Sequence, residues 1–159
     1  MLRIHPILLI VIFASLVFSV SDEIGEVEIV KGAVIIKPTQ KDIIPGVAIA
    51  GRMLHNRDII HTGEDGWIKF NLNGEDGQIT MSGFSELQFK ITNQSCQMEL
   101  KYGDIFTDFP TASNCEIITH SALIKLNESE MWIERNFLNE DKIYGIGGNS
   151  QISSNITET

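Results

Sequence analysis

The stretch Gly66-Trp67-Ile68-Lys69-Phe70-Asn71-Leu72-Asn73-Gly74-Glu75-Asp76-Gly77-Gln78-Ile79-Thr80-Met81 alternates, turns and alternates again. Ile68, Phe70 and Leu72 share one parity, with Lys69 and Asn71 between them, and Ile79 and Met81 resume the pattern. Apolar residues at every second position make one dry and one wet face only on a strand, whose successive side chains point to opposite sides. Between the two runs, Gly supplies positive φ and Asn and Asp bond their own backbone, so residues 73–77 read as a turn.

The same grammar extends in both directions. Leu87, Phe89 and Ile91 alternate with Gln88, Lys90 and Thr92; Met98, Leu100 and Tyr102 alternate with Gln97, Glu99 and Lys101. Further strands are expected at Glu26–Val30, Val34–Lys37, Asp58–His61, Ile105–Phe109, Glu116–His120, Leu123–Leu126 and Met131–Glu134. Gly63-Glu64-Asp65-Gly66 and Gly103-Asp104 read as turns between runs. Beyond Ser21 the chain has 21 Ile against 5 Ala and 7 Leu, which favours strands over helices, and no stretch carries a helical stripe. The reading is all-β: a single domain of many short strands, as a roll or a sandwich. Residues 145–159, rich in Gly, Ser and Asn, are expected to form a flexible tail.

Residues 1–21 read as a signal peptide. Arg3 precedes an apolar run, Ile7 to Val20, which ends at small residues before Asp22 and Glu23. That run is shorter than the ~20 residues that span a bilayer. Cleavage after Ser19 or Ser21 is expected, and only an uncleaved segment would touch a membrane. No Cys adjoins the junction, which argues against a lipid anchor. The remaining residues, 22–144 as the β domain and 145–159 as the tail, would then work outside the cytoplasm, in the periplasm or beyond.

The chain has 159 residues, one domain's worth, and a formal net charge of −9. An acidic chain lacks the basic footprint of a nucleic-acid binder and is a poor match for anionic lipid. Catalytic signatures are also missing: there is no G-x-S-x-G, H-E-x-x-H or Walker loop. The sequence thus points to a protein that is not an enzyme and carries no cofactor.

His55 and His61 flank Asp58, with Asp65 nearby, but a metal site would need these groups to converge. On a strand, His61 and Ile60 face opposite ways, which sends His61 to solvent. Asn71, Asn73, Glu75 and Asp76 imitate a calcium loop, yet the Gly falls at Gly77 and no glutamate closes the loop, so a hairpin turn is the better reading. Cys96 shares the parity of Met98 and Leu100, and Cys115 that of Ile117. Both then face inward, and in an exported chain a disulfide between them is expected. Asn93, Asn127 and Asn155 each begin a short glycosylation pattern that matters only in a eukaryotic host. Trp67 and Trp132 are expected to pack; exposed, either would suit a sugar platform.

Residues 51–66 carry a further pattern. Gly51 and Leu54, then Asp58, Ile60, Thr62, Gly63 and Gly66, resemble the core of the FecR domain, G-x-x-L and then D-x-I-x-T-G-x-x-G. Asp76-Gly77, Ile79, Met81, Ser85, Leu87 and Phe89 resemble the next turn and strands of that family, and the likeness extends over roughly residues 24–135. Signalling members place a cytoplasmic anti-sigma segment and a membrane span ahead of this domain, where this sequence shows a signal peptide. The resemblance implies an exported β domain that contacts another protein of the cell envelope, as in signal transduction, where members engage a transporter's periplasmic domain. Related domains beside wall-binding modules make a cell-wall glycan the alternative partner, and a small envelope hydrolase is a more distant one. On their own chemistry the motif residues read as structural: the glycines as turn formers, Asp58 and Thr62 as partners of turn amides.

Overall fold

A computed structural model of the chain describes residues 23–39, 45–92 and 95–154. The expected signal segment, 1–21, lies outside these residues. All the regular structure in the described residues is strand: β1 Glu23–Lys31, β2 Val34–Lys37, β3 Gly46–Val47, β4 Met53–His55, β5 Ile59–Thr62, β6 Trp67–Leu72, β7 Gln78–Met81, β8 Glu86–Thr92, β9 Ser95–Ile118, β10 Ala122–Arg135, β11 Asp141–Gly148 and β12 Gln151–Ser154. No helix among them is long and apolar enough to cross a membrane.

The strands form one antiparallel sheet, not two. Nine of them run in the order β3-β2-β5-β8-β9-β7-β6-β1-β4. The two ends of that order, β3 and β4, are neighbours in the chain, joined by residues 48–52. This crossing segment bonds both sides of the gap: Ala48 N donates to Val34 O (2.9 Å), and Gly51 N donates to Val27 O (2.8 Å). The sheet therefore curls into a roll, and a closed curl leaves little free backbone.

Alternation fills the inside. Ile68, Phe70, Ile79, Met81, Leu87 and Phe89 are fully buried. Phe70 of β6 and Phe89 of β8 meet edge to face across the interior, ring centroids 5.6 Å apart, so non-adjacent strands share one core. Burial of each such side chain is worth about 1.5–3 kcal/mol, the main force holding the curl.

The long β9–β10 ribbon bends back on itself. Cys96 and Cys115 lie 19 residues apart within one continuous strand, yet a disulfide joins them with Cα atoms 4.4 Å apart. A straight strand would hold them roughly 60 Å apart. Ladder register shifts at Lys125/Asn127 and Asn127/Ser129 bend the far half, and Glu128 has φ 44° there. A second tie holds the same ends. Asp141 Oδ2 accepts from Thr119 Oγ1 (2.6 Å), from Ser121 N (2.9 Å) and from the Ser121 hydroxyl, although Asp141 pairs in the ladder with Arg135, at the other end of β10.

Two expectations change here. Gly103-Asp104 is not a turn between strands but a bend within β9. With φ +94°, Gly103 marks where β9 leaves β8 and takes β7 and β10 as neighbours. A Cβ there would stand 2.2–2.5 Å from atoms of Ser85, so the bend needs Gly. The second correction concerns the expected tail. Residues 145–148 and 151–154 are ladder-bonded to β10 as β11 and β12, and only 155–159 lie outside the described residues. Side chains of this type cannot pack a core, but a ladder is made by backbone groups, which every residue but Pro can supply in full. The short β3 and β4 are likewise strands that alternation alone does not reveal.

Candidate functional site

The seven motif residues are built into the roll. Leu54 and Ile60 are fully buried. The buried Asp58 carboxylate accepts from His55 N (3.0 Å), while Asp58 N donates to His55 O and Phe89 N donates to Asp58 O. Burial pushes the Asp58 carboxyl above its ordinary pKa, against the His55 amide and nearby positive charge. The Thr62 hydroxyl accepts from Ser85 N (2.8 Å) and donates to Ser82 O. Gly63 N donates to Ala33 O, Gly66 N to Gly63 O and Gly51 N to Val27 O. These contacts tie turn to turn within the roll.

Other singled-out residues also separate. His55 Nδ1 lies 3.7 Å from Asp58, whereas the half-exposed His61 meets the Tyr102 hydroxyl at 3.0 Å and Glu86 at 3.5 Å. Asp65 accepts from Ala33 N instead. Among the described residues no three metal-ligating side chains converge. Residues 73–77 form a turn in which Asn73 Nδ2 donates to Glu23 O and Glu75 N to Leu72 O. Lys31 lies over the Trp67 ring, 5.3 Å from its centroid. Asn127 sits at the β10 bend; Asn93 and Asn155 lie outside the described residues.

Trp132 leads to a feature the sequence reading missed. On the outer face of the sheet the ladder sets Thr80 of β7, Phe106 of β9, Trp132 of β10 and Tyr144 of β11 side by side. Their chain neighbours Ile105, Thr107, Met131 and Ile133 are buried, which fixes this row to the outer side. Phe106 and Trp132 touch, centroids 6.4 Å apart, and Tyr144 is half-exposed. Carboxylates line both flanks. On one side Asp104 pairs across with Glu134 and Glu134 with Lys142. Lys142 Nζ stands 3.9 Å from Glu134, which also accepts from Trp132 Nε1 (3.2 Å). Burial and then the Glu134 charge raise the Asp104 pKa. On the other side Asp108 pairs with Glu130 and Glu130 with Gly147. Like charges directly opposite on neighbouring strands are destabilising.

The aromatic row ends at an open edge. Among the described residues β11 and β12 pair only with β10. From Ile143 to Ser154 the chain has neither a charged residue nor a Pro. Tyr144, Ile146 and Ile152 are exposed along it. Natural edges are usually guarded by Lys, Pro or a covering loop; here Lys142 stands at the start of β11, and the rest of the edge, Ile143 to Ser154, carries neither Lys nor Pro. The sequence signal was present, as Ile143, Tyr144, Ile146 and Ile152 in an uncharged run, but the surrounding Gly, Ser and Asn residues masked it. No protein-family model, curated protein or solved structure matches the chain.

Proposed function

We propose that the chain is an exported, non-enzymatic binding module of FecR-like type that captures an extended segment of an envelope protein along β11. The β11–β12 edge, paired on one side only among the described residues and uncharged from Ile143 to Ser154, carries this reading. An incoming strand would satisfy the free backbone groups of β11 and cover Tyr144 and Ile146, so main-chain bonds supply affinity and side chains supply choice. The FecR resemblance at residues 51–66 supports the envelope setting, and the run at residues 1–21 supports export.

A glycan partner is the second reading, favoured by the aromatic row Phe106, Trp132 and Tyr144 on an open face. Cross-linking capture from solubilised envelope of the host, with residues 22–159 as bait, tests both. One enriched protein that disappears with Ile146→Lys, which places a charge on the edge, supports strand capture. Enrichment of wall material without a protein, abolished by Trp132→Ala, contradicts it in favour of the glycan.

A further inference from the structure

We infer that the segment taken up by β11 is basic, and that it places a Lys or Arg side chain over Gly147 onto Glu130 and Asp108. This rests on the strand-capture reading and adds the chemistry of the partner. The two flanks of the aromatic row are alike except at their last position. On one, Asp104 and Glu134 are followed on β11 by Lys142, a cation 3.9 Å from Glu134. On the other, Asp108 and Glu130 are followed by Gly147, which has no side chain. Asp108 and Glu130 meet no cation among the described residues, although they oppose each other across the ladder. A Cβ built on Gly147 would touch nothing within 4 Å, so no side chain of the chain itself covers that position.

A strand added beside β11 would stand about 4.8 Å beyond it, two strand spacings from Glu130. A Lys or Arg stem facing outward there can cross the bare Gly147 and bring its charge to both carboxylates. The same head group would pass the exposed Tyr144 ring, which attracts cations through its face. The interaction would relieve the like-charge pair that the free chain tolerates. A second copy of this chain fits poorly as the occupant, since its net charge of −9 opposes close approach.

Calorimetry with three capped heptapeptides, alternating Val with Lys, Ser or Glu, tests the inference on the full chain. The expected order of affinity is Lys over Ser over Glu. The Lys peptide should bind about five- to tenfold more tightly than the Ser peptide at low salt, and the gap should narrow at about 0.5 M salt. Glu130→Gln with Asp108→Asn should remove that preference, as should Gly147→Lys, which supplies the cation internally; Glu64→Gln, an exposed carboxylate elsewhere, should leave it intact. Equal binding of the three peptides, or a preference that survives both sets of changes, overturns the basic partner while leaving strand capture standing. Binding of none, or association of the chain with itself through β11, overturns strand capture and the inference together. Binding of a neutral wall oligosaccharide in place of any peptide does the same.

Discussion

The β1–β9 roll and the β10–β12 ribbon treat their edges in opposite ways. In the roll, the ends of the strand order are bridged by residues 48–52, and the motif residues Asp58 and Thr62 accept from the amides of His55 and Ser85. In the ribbon, β11 and β12 pair on one side only among the described residues, and beyond Lys142 their exposed residues are apolar, Gly, Ser or Gln. Closure makes the roll a scaffold; openness leaves the ribbon with surface to offer. A motif can thus identify how a domain is built and say nothing of where it works.

That contrast is open to mutation. The largest effect is expected at Gly103, where φ is +94° and a side chain would strike Ser85: Gly103→Val should cost about 3 kcal/mol or more in urea unfolding. Gly147→Ala, on the open edge with nothing within 4 Å, should change stability by no more than about 0.5 kcal/mol. Equal losses would erase the distinction between the regions. Removing the disulfide with Cys96→Ala and Cys115→Ala should cost about 3 kcal/mol for the closed loop, and an intact mass that rises on alkylation without any reductant would show that the bridge is absent in solution. Asp58→Ala should lower stability by about 1–2 kcal/mol, because His55 N loses its acceptor, while leaving capture by β11 intact. Unchanged melting with lost capture would move the site into the motif.

Acid should separate two buried carboxyls, one in each region, by sign. Burial raises Asp141, but hydrogen bonds from Ser121 and Thr119, with Arg135 nearby, outweigh it and hold the pKa below the ordinary value. Its contribution is therefore present above the unfolded carboxyl pKa of 3.8 and lost as pH falls through the lower folded value. Asp58 is raised instead, so its folded form resists ionisation. Stability is lost as pH climbs from 3.8 through the raised value. Unfolding curves of Asp141→Asn and Asp58→Asn against the parent should show it. The Asp141→Asn deficit should shrink on acidification below about pH 4. Any Asp58→Asn deficit should shrink as pH rises. Parallel trends would contradict the two environments.

Much of the fold is written in alternation. The pattern Ile68, Phe70, Leu72 announces β6 because half-burial leaves a period of two in the chain. Gly103 gave the right physics with the wrong consequence: positive φ marks a reversal in a hairpin and a bend in a long strand, and only the choice of neighbours separates them. β11 and β12 left no such trace, since exposed edge strands held by backbone bonds need no alternation. The aromatic row was hidden for a related reason. Phe106, Trp132 and Tyr144 are far apart in sequence and become a row only through ladder register.

Residue-resolved hydrogen exchange of the full chain, free and saturated with the alternating Lys and Val heptapeptide, tests strand capture most directly. Amides within residues 142–148 should exchange readily in the free chain and gain protection on binding, while residues 67–72 of β6, already paired on both sides, stay as they were. Peptide binding without new protection at 142–148, or with protection gained elsewhere on the roll, would contradict capture along β11.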